Sequence, residues 1–383
     1  MKKFFAKIHL WLSIPFGIII AIVCLTGALL VFETEILELC YPSRYFVKEM
    51  KGKQLSPAEL ISSARRQLPD SIQINGIRVF SDPKRTYQVV LPGKKTAAFI
   101  NPYTAKITGM DDGQGFFMQM MRLHRWLLDS YKRDGSFSLG KAVVGYSTLA
   151  LAVILISGLV IWYPRNKKVL KNRLKIKTKS GWYRFFYDLH VSGGFYATLL
   201  LLVLTLTGLT WSFGWYRDAF YTVFGIGTNQ PQAHAVAPSA SSKGSIKKGS
   251  HGHSGSSERK GKQQKRTDYT QWAEILSDLQ NRYPEYNAIT IQDGSATVST
   301  ANYGNTRSSD RYTFDPATGD ITEIQLYKDL PKSGKIRGWI YSVHAGTWGG
   351  MTTRILSCLV SFLGAVFALT GYYFWIKKKV RKR

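Results

Sequence analysis

Four of the seven histidines in this 383-residue chain stand where metal chemistry would need them. His9 and His190 lie at the start of two apolar runs, and His124 and His344 come shortly before two others. The ordinary explanation for one such residue is interfacial: half buried, and bonded to a lipid headgroup or a carbonyl. It does not predict pairing, yet two levels of the chain each receive two imidazoles. Two opposed imidazoles in an apolar slot suit the axial positions of a haem iron. Zinc suits them less, because it usually takes three or four protein ligands. The three cysteines, Cys24, Cys40 and Cys358, have no zinc-ligand spacing and form no disulfide framework. No Cys-x-x-Cys-His occurs, so the expected cofactors are two non-covalent, b-type haems.

Small residues recur in step with these histidines. His9 is followed by sixteen residues and Thr26-Gly27, and His190 by sixteen residues and Thr207-Gly208. The returning runs end in Ser157-Gly158 and Thr370-Gly371. A flat macrocycle needs neighbouring helices without bulky side chains. Gly27 lies about 27 Å beyond His9 at about 1.5 Å per helical residue. Gly27 and Gly208 are therefore expected to face an outer haem held by His124 and His344. Gly158 and Gly371 are expected to face an inner one held by His9 and His190, where Gly194 adds room. Close packing of helices through small residues is the competing explanation for each glycine. Arg122, Arg125 and Arg354 read either as partners of haem propionates or as interface anchors. Met118, Met120 and Met121 before His124 read as packing residues.

The elements that must position these side chains are membrane helices. Apolar content is an ordinary 45%, but it is concentrated in four uncharged runs at 9–32, 142–163, 191–213 and 355–376. Each is long enough to cross about 30 Å of hydrocarbon as a helix. The first lacks a small-x-small cleavage site and reads as an uncleaved span. A soluble enzyme, a secreted domain and an outer-membrane barrel are all excluded by this pattern.

The net charge is +28. Eighteen cations and no acidic residue occupy the N-terminus, the loop at 164–184 and the tail after Ile376. By the positive-inside rule that side is cytoplasmic, and both termini lie there. Cations set against membrane ends meet anionic lipid, so nucleic acid is not an expected partner.

The chain reads as an internal duplication: four transmembrane helices with two small α+β modules on the outer face. The expected organisation is a first helix at 1–32 and an outer loop at 33–141 holding a module at about 55–110. A second helix at 142–163 and the basic loop at 164–184 lead to a third helix at 185–213. The outer loop at 214–354 holds a disordered tether (231–267) and a second module at about 268–328. A fourth helix and basic tail fill 355–383. Both modules finish on an Asn/Asp-Pro turn, Asn101-Pro102-Tyr103-Thr104 and Asp315-Pro316-Ala317-Thr318, a hairpin signal. His251 and His253 in the tether read as solvated linker rather than a metal site.

The His…Thr-Gly spans, the modules ending Asn/Asp-Pro-x-Thr-x-x-Ile-Thr, and His344-Ala-Gly-Thr-Trp-Gly-Gly resemble the PepSY-associated transmembrane proteins, often called iron-regulated membrane proteins. The likeness spans nearly the whole chain outside the tether. It implies a di-haem ferric-siderophore reductase of the bacterial inner membrane, with His9, His190, His124 and His344 as axial ligands. Reduction of a ferric siderophore or other iron chelate would then occur on the outer face. No Gly-x-Gly-x-x-Gly follows a strand, so a separate donor, a quinol or a cytoplasmic reductase, is expected. An iron-chelate permease and a membrane-anchored binding or regulatory protein are the competing functions. The spans lack the mid-membrane ionisable residues usual in carriers, and neither alternative accounts for four matched histidines.

Overall fold

The computed structural model describes residues 1–93, 95–129, 137–164, 166–226, 269, 271–300 and 304–380. The expected tether, with His251 and His253, lies outside the described residues.

Four stretches are helical, long and apolar enough to cross a membrane: Lys2–Val31, Leu139–Trp162, Trp182–Ser212 and Thr347–Val380. The protein is a membrane protein. In chain order, α1 (Lys2–Val31), α2 (Glu33–Cys40), α3 (Pro42–Tyr45) and α4 (Pro57–Gln67) precede β1 (Gly76–Phe80), β2 (Tyr87–Val90), β3 (Ala97–Ile100) and β4 (Ile107–Asp111). Next come α5 (Phe116–Trp126), α6 (Leu139–Trp162), α7 (Lys167–Arg173), α8 (Trp182–Asp188), α9 (Gly194–Ser212) and α10 (Gly214–Val223). The chain continues with α11 (Gln271–Arg282), β5 (Tyr286–Gln292), β6 (Ser295–Thr300), β7 (Ser309–Phe314) and β8 (Ile321–Gln325). It closes with α12 (Lys332–His344) and α13 (Gly350–Val380).

Charge and aromatic residues mark one end of the bundle. The Lys2 ammonium donates to the Tyr163 carbonyl. Lys377 lies 4.3 Å from the centre of the Tyr183 ring, and Lys379 4.4 Å from that of Trp375. Both termini and the loop after α6 therefore share this end, with ammonium groups over interfacial rings. Within the bundle, Gly17 admits the Tyr372 ring of α13, and Gly364 admits Cys24 of α1. Close helix approach explains these two glycines without any cofactor.

The other end carries a single eight-stranded antiparallel sheet in the order β4-β3-β2-β1-β5-β6-β7-β8. Two four-stranded meanders join where β1 pairs β5, from Gly76 opposite Gln292 to Phe80 opposite Ala288. Each long loop contributes one helix and four strands, and α4 and α11 lie over one face of the continuous sheet they share. Leu60, Ile61, Trp272 and Leu279 from the helices meet Ile77, Val89, Ile289 and Val298 from the strands in one core. Helix α4 starts where it does because Ser56 and Glu59 form a reciprocal capping box ahead of Pro57.

The junction depends on Gly76, because a Cβ there would collide with the Ile291 carbonyl and the Gln292 side chain. Replacing Gly76 by Val is expected to cost about 1–3 kcal/mol and to loosen β1 from β5. Amide hydrogen exchange should quicken in those two strands and stay unchanged in α1 and α13; unaltered exchange throughout would contradict the junction.

Candidate functional site

The four histidines come together as two pairs, one at each end of the bundle. His9 on α1 and His190 between α8 and α9 have ring centres 6.4 Å apart, with planes crossed at 78°. His124 on α5 and His344 at the end of α12 have ring centres 6.2 Å apart, with planes at 55°. A metal–imidazole bond of about 2.0 Å and a ring radius of about 1.1 Å, taken on both sides of one ion, require about 6.2 Å. Both separations match that requirement.

The second ring nitrogen is occupied in every case. His9 Nδ1 lies 3.0 Å from the Ile154 carbonyl, His124 Nδ1 2.9 Å from Val23, and His344 Nδ1 3.0 Å from Leu204. A carbonyl only accepts, so Nδ1 carries the hydrogen and donates it. His190 Nδ1 lies 2.9 Å from the Thr370 hydroxyl, which itself donates to the Val366 carbonyl and so accepts from the ring. Each imidazole is thus held as the tautomer whose Nε2 keeps its lone pair, the form that binds a metal.

The Ser/Thr-Gly pairs build these seats. Ser157, Thr26 and Thr207 place their hydroxyl oxygens 3.2, 3.2 and 3.1 Å from Nδ1 of His9, His124 and His344. The following glycine leaves space for the ring itself. A Cβ on Gly158 would stand 3.2 Å from His9 Cε1, on Gly27 3.1 Å from His124, on Gly208 3.0 Å from His344, and on Gly371 3.9 Å from His190. The spacing pairs each of these glycines with the correct level, but what each accommodates directly is an imidazole. Gly194 differs, since nothing lies within 4 Å of its Cβ position, and it opens onto a cavity.

That cavity measures about 660 Å³ and is walled by His9, His190, Gly158, Gly194, Gly371 and Trp162 among others. Its volume falls within the ~300–1,000 Å³ usual for ligand sites. Trp162 is buried against Phe195, ring centres 3.6 Å apart, and its Nε1 has no acceptor among the described residues. A buried donor left unpaired is a polar contact waiting for a ligand. Arg173, Arg184 and Lys378 also line this cavity. Among the described residues, no cluster of three or more His, Cys, Asp or Glu is arranged to hold a metal ion, which leaves the two-imidazole arrangement. A largely apolar cavity holding two neighbouring imidazoles and one unpaired donor has room for a flat, metal-centred group.

Three arginines near these pairs have protein partners. Arg354 pairs with Glu35, Nη2 to Oε2 2.6 Å, and donates to the Val31 carbonyl, so it ties α13 to α1 and α2, while its Nε has no partner among the described residues. Arg125 stacks over Trp126 at 4.5 Å, and Arg122 donates to the Leu128 carbonyl at 3.3 Å. Sequence reasoning also misses the hydroxyls as imidazole partners, although a Ser or Thr precedes all four glycines. It misses the π-helical turn Leu189–Gly193 that sets His190, a distortion common at functional positions.

A family model described as the PepSY-associated TM region matches residues 6–378. No curated protein matches the chain.

Burial first, with His124 close to His344, lowers the imidazole pKa of His344 to about 4; burial alone dominates for His124, also about 4. The folded protein then binds fewer protons than the unfolded chain between about pH 6.5 and 4. Protein stripped of metal should be fully stabilised above that window and lose stability as pH falls through it. Thermal melts across pH 7 to 4 should drop, and the drop should shrink in a His124→Gln, His344→Gln double variant. A flat profile would contradict the enclosed pair.

Proposed function

We propose that this chain, which belongs to the PepSY-associated TM family, is a di-haem oxidoreductase reducing ferric iron in a siderophore or other chelate. The observation that carries this reading is the pair of histidine pairs, one at each end of the bundle, each spaced for one shared metal ion. His9 and His190 would hold an inner b-type haem, and His124 and His344 an outer one. Bound there, the haems would supply one-electron carriage between the two faces of the membrane.

The chain's own residues fix the conditions for that carriage. Donation from Nδ1 to a carbonyl or hydroxyl holds each ring in place and raises the basicity of Nε2. Gly27, Gly158, Gly208 and Gly371 keep side chains out of the imidazole seats. Trp162 Nε1 offers a donor to a carboxylate at the inner cavity.

Orientation follows from charge. The end bearing the basic loop and both termini is cytoplasmic by the positive-inside rule, in a bacterial inner membrane. The sheet is then periplasmic, and its two helix-plus-four-strand units are PepSY-like modules of a duplicated chain. Electrons come from a quinol or a cytoplasmic reductase meeting the inner cavity, where Asn172, Arg173 and Lys378 stand. Each electron moving outward is favoured by about 2.3 kcal/mol per 100 mV of inside-negative potential. One electron converts chelated Fe(III) to Fe(II), which hard oxygen ligands hold less tightly, and the metal is released.

Purified wild-type protein should contain two haems per chain by pyridine haemochrome assay. His124→Ala or His344→Ala should leave one and abolish reduction of ferric chelate, and His9→Ala or His190→Ala should likewise leave one. Gly208→Leu should mimic His344→Ala by displacing the ring. Unchanged haem content across these variants would refute the assignment.

A further inference from the structure

On the face of the sheet turned away from α4 and α11, α3 covers one side through Tyr45 and Arg44 against Phe99, and one residue beside it is electrostatically incomplete. Strand alternation puts Ile77 and Val79 into the core and Arg78 on the opposite face. The Arg78 side chain makes no hydrogen bond or ion pair among the described residues, and its Nε is fully buried. Its guanidinium lies over the Phe80 ring at 5.1 Å, and Arg85 lies over the same ring at 5.5 Å. Burial, and then the charge of Arg85, lower the Arg78 pKa. An arginine withdrawn from water, beside a like charge and without a carboxylate, is a costly arrangement unless an anion completes it.

The surroundings of Arg78 extend this donor surface. In the sheet register Gln88 faces Arg78, Arg78 faces Thr290, Thr290 faces Thr297, and Thr297 faces Arg311. These five side chains form one row across five strands on the face opposite α4 and α11. Arg311 has contacts of its own. The two arginines are three strand spacings apart, about 14 Å, wide enough to span a metal chelate.

This face is tied through α2 to the helix that seats His124. Arg85 is paired with Glu38 at 2.6 Å. Glu38 lies on α2, which follows directly on α1, where Thr26 and Gly27 seat His124. A ligand against Arg78 would lie between the sheet and that end of the bundle.

We propose that the region around Arg78, on the sheet face opposite α4 and α11, is the docking surface for the ferric chelate, and that it selects chelates with net negative charge, bound through carboxylate or catecholate oxygens. This deepens the reductase reading and rests on it for the identity of the ligand. Arg78 supplies the charge-assisted, two-pronged contact that such oxygens accept. Gln88, Thr290 and Thr297 supply neutral partners beside it. A cationic chelate would meet Arg78 as a like charge, since Arg85 is already paired with Glu38.

Binding can be measured apart from electron transfer by using gallium(III), which takes the ligand geometry of ferric iron without being reduced. The full-length protein in phosphatidylcholine nanodiscs is titrated with gallium citrate, which is anionic, and with gallium desferrioxamine B, whose pendant amine makes it cationic. Wild type should bind the citrate complex at least about tenfold more tightly, with affinity falling as salt rises. Arg78→Gln should lose about tenfold in affinity for the citrate complex and Arg78→Lys less. Arg78→Gln should melt no lower than wild type, because it removes an unpaired charge. His344→Ala should bind gallium citrate as wild type does even though it lacks a haem, so failure of the haem assignment and failure of this docking surface give different results. Equal binding by wild type and Arg78→Gln, or preference for the cationic complex, overturns the proposal. So does loss of only phosphatidylglycerol retention in Arg78→Gln, which would make lipid headgroups the anion.

Discussion

The structure depends on a hydrogen bond from the Nδ1 side of each of four imidazoles into a neighbouring helix. In three of the four the acceptor is a backbone carbonyl in mid-helix, at Val23, Ile154 and Leu204. Such a carbonyl already accepts within its helix, yet it has a second lone pair. The residue three positions on is Thr26, Ser157 or Thr207, and the next is glycine. The hydroxyl turns back onto its own helix, and the absent side chain of the glycine lets the imidazole approach. A lone histidine in hydrocarbon would be expensive and loosely placed. Seated in this way it is neutral, fixed in tautomer, and aimed.

The seats also tie the bundle together. His9 on α1 is held by α6, and His124 on α5 is held by α1. His190 is held by α13, and His344 on α12 by α9. Helix α1 therefore gives one imidazole and receives another, and the segment from His190 through α9 does the same. Helix packing and the histidine geometry are one set of contacts, so moving a helix displaces an imidazole. The sheet is joined to the end of the bundle that holds His124 and His344 through Arg85 with Glu38 and the Gly304 amide on the Trp348 carbonyl. What sits on the sheet is thereby held close to the outer pair.

Much of this is legible in the sequence, for identifiable reasons. Four uncharged runs must be buried in lipid, because nothing else in the chain is large enough to cover them. The equal spacing from His9 to Gly27 and from His190 to Gly208 fixes which glycine belongs to which level, since helix rise is constant. Other features are not local. Pairing of β1 with β5 joins segments some two hundred residues apart, and the strand pattern of either is satisfied by a separate module just as well. The π-helical turn at His190 reflects packing against α13 more than any residue preference. Arg354 looks the same in sequence whether its partner is Glu35 or a bound carboxylate. Arg78 is hidden by its setting, because an alternating strand with one arginine on the polar side is unremarkable until the partner is found to be missing.

The central claim is that each imidazole pair shares one iron. Anomalous scattering at the iron edge from crystals of the purified, unmutated protein tests it most directly. Two peaks are predicted per chain, one midway between Nε2 of His9 and His190 and one midway between Nε2 of His124 and His344. A map without iron at those two points, or with iron bound elsewhere in the chain, would contradict the account.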